Sequence, residues 1–165
     1  MEFSFDREGY RYGLRIDLGA FDETAFSIAI TATRTPIRPR DRLYEFSVKA
    51  EVSIVARDDV PFLVVTIEGV ELFAEPVDEV LGTSDVMNMI PAHLYGVGDP
   101  FIGCLVRAGL SASIDQARRC WRGSRGEEGL RRRFARAFAC IRDNLANLGV
   151  RAAIRAGWCI ARNGS

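Results

Sequence analysis

Nucleophilic chemistry in this chain would have to use one histidine, His93, and four cysteines, Cys104, Cys120, Cys140 and Cys159. A cysteine nucleophile needs a base within hydrogen-bond reach. His93 stands 11 residues from the nearest cysteine, and nothing around it frames such a pair. The cysteines form no C-x-x-C unit and match no zinc spacing. They are read as reduced thiols, small apolar residues packed on helices. Asp58-Asp59 and Asp78-Glu79 read as turn and surface acids rather than as a general acid/base pair. The glycines at 96 and 98 lack the strand-to-helix setting of a phosphate loop, and Asp99 would place an acid where the anion sits. The expectation is a protein that is not an enzyme and carries no cofactor and no metal.

One basic run could meet an anionic partner: Arg131, Arg132 and Arg133, with Arg136 a turn later. It belongs to a wider asymmetry. Residues 1–100 hold 18 acids and 9 basic residues, whereas residues 101–165 hold 4 acids and 13 arginines. Such a split predicts two surfaces that attract each other or two partners of opposite sign. Only Lys49 among the 22 basic residues is a lysine, so arginine abundance alone says little about nucleic acid.

The elements that must position these residues are strands first and helices second. Tyr10, Tyr12, Leu14, Ile16 and Leu18 alternate with polar neighbours, as do Phe26, Ile28 and Ile30; that period of two marks half-buried strands. Tyr44 to Ile54 alternates again, Arg57-Asp58-Asp59 supplies a turn, and Phe62 to Phe73 returns as an antiparallel partner. Residues 76–100 read as a loop with short helical turns. Asp99 followed by Pro100 is a helix start, and that helix is expected to stop near Gly109. Further helices are expected at Ser113–Trp121, Glu127–Leu148 and Val150–Ala161, the last presenting Ile154 and Trp158. The fold class is therefore α+β, an antiparallel sheet of about four strands followed by helices. The expected division is a sheet-plus-helix domain over residues 1–110 and an Arg-rich helical extension over 111–165. No apolar run approaches the roughly 20 residues that span a bilayer. The acidic, alternating opening Glu2-Phe3-Ser4-Phe5-Asp6 is unlike a secretory signal, which predicts a cytoplasmic location.

The stretch Tyr44–Gly109, about 40% of the chain, resembles the SecB protein-export chaperone family. The resemblance is carried by Asp41-Arg42-Leu43-Tyr44-Glu45-Phe46 at the entry to the long strand and by Arg57-Asp58-Asp59 leading into Pro61-Phe62-Leu63. It continues in Met89-Ile90-Pro91-Ala92-His93-Leu94-Tyr95 and ends in Ile102-Gly103-Cys104-Leu105-Val106-Arg107-Ala108-Gly109. It implies a homo-oligomer, a tetramer in that family, and an ATP-independent holdase that binds unfolded polypeptide along apolar grooves. The implied client surface is Leu72, Phe73, Val80, Leu81, Met87, Met89, Ile90, Leu94 and Tyr95. Met and aromatic side chains suit such a surface because they adapt to many partners. Where the family has an acid that docks the SecA motor, this chain has Leu63-Val64-Val65, so the resemblance does not extend to SecA docking. Two other classes fit the same composition. One is a non-chaperone interaction module of the immunity or phage-inhibitor kind, and the other is a nucleic-acid-associated protein using Arg131–Arg136.

Overall fold

A computed structural model describes residues 2–38, 45–96 and 98–163. Asp41 to Tyr44, where the resemblance and the long strand were expected to begin, lie outside the described residues. Six strands form one antiparallel sheet in chain order: β1 (Glu2–Arg7), β2 (Tyr10–Asp22), β3 (Ala25–Pro36), β4 (Phe46–Arg57), β5 (Val60–Ile67) and β6 (Val70–Pro76). Four of the five connections are two-residue hairpins. Glu8-Gly9, Asp58-Asp59 and Glu68-Gly69 have positive φ at both positions, the turn whose twist matches the flanking strands. At Asp22 the side chain instead accepts from the Thr24 N–H at 2.7 Å and closes the β2–β3 turn.

The strand count is six, not four. β1 adds an edge strand, and the segment expected as one strand over Phe62–Phe73 folds back on itself at Glu68-Gly69. After a 3₁₀ turn at Val77–Glu79 come two short helices, α1 (Thr83–Met89) and α2 (His93–Gly96). Three long helices follow: α3 (Pro100–Gly123), α4 (Leu130–Asp143) and α5 (Leu145–Asn163). α1 and α2 pack on α3, and α3, α4 and α5 pack against one face of the sheet. That face is the alternating set Tyr12, Leu14, Ile16, Phe26, Ile28, Ile30, Ala32, Val48, Ala50, Val52, Ile54, Leu63, Val65 and Ile67, each buried.

α3 is the organising element. Asp99 caps it, one carboxylate oxygen accepting from the N–H groups of Phe101 and Ile102 at 2.9 and 3.1 Å. The other oxygen accepts from Tyr12 Oη at 3.0 Å and Arg34 at 2.9 Å, so the cap also fixes the helix to the sheet. The helix does not stop at Gly109. It runs unbroken to Gly123, through the boundary expected at 110/111. Gly109 serves a close approach instead: a Cβ there would lie 2.7 Å from Ile30 Cγ2 and 3.3 Å from Leu14 Cδ1. The expected helix over 127–148 begins only at Leu130, after Gly129 at φ +80°, and ends at Asn144. Asn144 closes α4 by donating to the Cys140 carbonyl at 2.7 Å, while its own carbonyl accepts the N–H of Leu148 at 2.9 Å in α5.

The cysteines are not thiols. Cys104 is bonded to Cys159 and Cys120 to Cys140, with Cα–Cα separations of 5.5 and 5.6 Å. Because α3 is continuous, Cys104 and Cys120 sit roughly 24 Å apart along one rod and each meets a cysteine on another helix. One bond fastens α5 to α3, and the other fastens α4 to α3.

Candidate functional site: a trough along the outer face of α3

The outward face of α3 forms the floor of an open trough of about 730 Å³. Cys104, Arg107, Ala108, Ser111 and Asp115 line the floor at helical spacing. Thr83, Ser84, Met87 and Asn88 of α1 form one wall. Arg155, Trp158, Cys159, Arg162 and Asn163 of α5 form the other. A neighbouring cavity of about 430 Å³ shares Cys104, Arg107, Cys159 and Asn163 and extends the depression toward Tyr95, His93 and the start of α3.

Each wall is fixed by specific bonds. Arg118 donates to the carbonyls of Val80 and Leu81 at 3.0 and 3.4 Å and so ties the segment before α1 to α3. Tyr95 Oη donates to the Met87 carbonyl at 2.7 Å and holds the end of α1; burial pushes the Tyr95 phenol above its ordinary range. Thr83 donates to Asp115, and Arg155 bonds both Asp115, at 2.5 Å, and Ser111, at 3.0 Å. The single acid of the trough is thereby matched by Arg155. Arg107, 5.4 Å above the Tyr95 ring, adds positive charge. Trp158 projects over the rim, 69% exposed. The trough is thus a cationic channel with a broad apolar contact on one wall, the Cys104–Cys159 bond in its floor and room for an extended side-chain-bearing segment.

The residues singled out from sequence are distributed unevenly around it. Phe73, Val80, Ile90 and Tyr95 are buried in the core, and Leu72, Met87 and Leu94 are half-buried against it. Leu81 and Met89 are exposed, at 91% and 61%. Of the nine, Met87 lines the trough and Tyr95 the adjoining cavity. The arginines of α4 are mostly engaged. Arg131 pairs with Glu23, Arg136 with Glu127 at 3.1 Å, and Arg133 lies over the Trp121 ring at 4.0 Å while donating to the Trp121 carbonyl at 3.1 Å. Arg132 is exposed. His93 is exposed in the same cavity that Cys104 lines, but that sulfur is committed to a disulfide. Among the described residues no group of three His, Cys, Asp or Glu side chains is placed to hold a metal. None of the described helices is long and apolar enough to cross a membrane.

The wall contributed by α5 escaped the sequence reading. That helix carries two apolar stripes at four-residue spacing, Leu148-Ala152-Ala156 and Val150-Ile154-Trp158. The small one is buried and the large one exposed, because α5 must come close enough to α3 for Cys159 to reach Cys104. The spacing of Arg155, Trp158 and Arg162 on one helical face was the available signal.

No family model, no curated protein and no solved structure matches this chain. The SecB resemblance therefore rests on the residues quoted for it.

Proposed function

We propose that this chain is a polypeptide-binding protein of the ATP-independent chaperone type, holding extended segments in the trough along α3. The observation that carries the reading is the trough itself: its one aspartate is matched by Arg155, which leaves the positive charge of Arg107, and Trp158 is exposed beside them. Apolar side chains that face water on a fixed wall bind segments that also need to leave water. The surplus of positive charge selects segments in which apolar residues alternate with Asp or Glu, and unfolded chains supply both. Binding by this route involves no bond making. The SecB resemblance agrees in kind, although the segment before α3 contributes only part of the surface and α5 contributes the rest.

The test is the suppression of aggregation of an unrelated unfolded protein, together with affinities for fluorescent peptides that are apolar–acidic or apolar–basic. The apolar–acidic peptide is expected to bind at least tenfold more tightly, an advantage that shrinks as salt screens the arginines. Trp158→Ser, at an exposed position, is expected to leave melting unchanged and weaken peptide binding about tenfold. Full-strength binding by that variant would remove the trough from the reading. Failure to hold any unfolded chain or peptide would remove the function.

A further inference from the structure

Beyond the trough, where the last turns of α3 meet the 3₁₀ turn, lies a separate cavity of about 190 Å³. Arg118 and Arg122 line it from α3, and Arg125 lines it from the turn that follows; Asp78 is the only acid in its lining. Arginines near a helix C-terminus have an ordinary role, compensating the partial negative charge of the last carbonyls. Here that role is filled by others. Arg133 donates to the Trp121 carbonyl, as does Ser124 Oγ at 2.6 Å, and Arg118 serves Val80 and Leu81. The guanidiniums of Arg122 and Arg125 make no hydrogen bond or ion pair with the described residues, yet both line one small cavity.

Both arginines are exposed at the edge of this depression. Two unpaired guanidiniums lining one concave place repel each other, and an oxyanion between them relieves that repulsion.

We propose that this cavity binds a single phosphate group of the monoester class, held by Arg122 and Arg125. A monoester carries close to two negative charges and three strong acceptor oxygens, which matches two guanidiniums with further donors nearby. The size of the cavity favours one tetrahedral group over a diester backbone, which must enter and leave along a track of cations. The shared chemistry could come from free phosphate or from a phosphorylated side chain of a bound polypeptide. The site does not depend on the trough reading.

Calorimetric titration of the full chain with inorganic phosphate and, separately, with O-phosphoserine tests it. At least one probe is expected to bind at a single site, and the Arg122→Gln/Arg125→Gln variant is expected to lose at least tenfold in affinity. Arg119→Gln, an exposed arginine of the same helix outside the cavity, is expected to bind as the unmodified chain does. Melting without ligand checks that the double variant is folded. Binding of phosphate but not phosphoserine assigns the site to the free ion; binding of both opens it to phosphorylated chains. The proposal is overturned if neither probe binds at millimolar concentration or if the double variant binds undiminished. It is also overturned if an oligonucleotide, but not the monoesters, binds through these two arginines.

Discussion

Reducing the two disulfides is expected to cost this protein most of its stability. The crosslinks close loops of 55 and 20 residues. In the chain-entropy picture, loops of that length contribute about 4 and about 3 kcal/mol at 25 °C. The shorter loop lies inside the longer, so the two together contribute somewhat less than the sum. A domain of this size typically has about 5–15 kcal/mol in all, so the reduced chain should be marginal. The bonds also differ in access. Each bond pairs one buried cysteine with one half-buried cysteine, but Cys104 and Cys159 line the open trough. Exposed disulfides are reduced first. Titration with a dithiol should therefore release Cys104 and Cys159 before Cys120 and Cys140, with a first loss of denaturant midpoint. Peptide mapping without reductant should recover only the 104–159 and 120–140 links. Free thiols in the native protein, a 104–120 link, or a reduced form as stable as the oxidised one would refute the reasoning. Structural disulfides persist in oxidising compartments, so these two bonds sit poorly with the cytoplasmic location expected from the chain's opening residues.

Two further outcomes test how α3 is seated. Gly109→Ala would stabilise a solvated helix by about 1 kcal/mol, but here the new methyl meets the stiff, buried Ile30 at 2.7 Å; overpacking of about 1–3 kcal/mol should win, and a raised melting temperature would show that the helix does not press on the sheet there. Tyr12 is pushed up to about 12 by burial first, then by the negative charge of Asp99 and the bond to it, with Arg34 opposing. The unfolded chain releases this proton near pH 10, so stability should be intact below that and fall as pH rises toward 12. Ultraviolet titration should find two of the four tyrosines ionising late, Tyr12 and Tyr95, and Tyr12→Phe should remove one of the two.

Much of the sheet was legible because its signal is local. Strict alternation marked β2, β3 and β4, and it picked out most of their buried residues, missing Ser27, Ala32 and Pro36, while Tyr10, Leu18 and Phe46 of the same pattern are only half-buried. The two-residue turn at Asp58-Asp59 was legible as well. Glu8-Gly9 and Glu68-Gly69 were not, although both are the same kind of turn, because Glu-Gly is a weaker hairpin signal than Asn-Gly or Asp-Gly. That single omission hid β1 and merged β5 with β6. The start of α3 was legible from Asp99-Pro100, since a cap and an N1 proline act within one turn. Its length was not. Gly109 carries the same local signal whether it ends a helix or lets one approach a sheet, and only Ile30 and Leu14, far away in sequence, decide which. The trough shares that difficulty: its walls come from α1, α3 and α5, and which stripe of α5 faces inward depends on a disulfide that the spacing did not reveal.

The division of charge along the sequence can now be followed into space. If the acidic first hundred residues and the basic remainder neutralised one another, ion pairs would run between them. Among the described residues one pair does so, Arg131 with Glu23. Arg34 with Asp99, Arg57 with Glu71 and Arg155 with Asp115 each close within their own part of the chain. The surplus is therefore left in place, with acids on the strands and turns and arginines on α3, α4 and α5. Keeping like charges unpaired costs self-repulsion within the compact state, and the cost is highest where guanidiniums share a concave surface. Arg107 in the trough, and Arg122 with Arg125 in the smaller cavity, are such places. Both depressions lie along the one helix that Asp99, the sheet and two disulfides hold fixed. An anionic side chain entering either depression would relieve repulsion built into the folded chain, with no rearrangement of α3 needed to receive it.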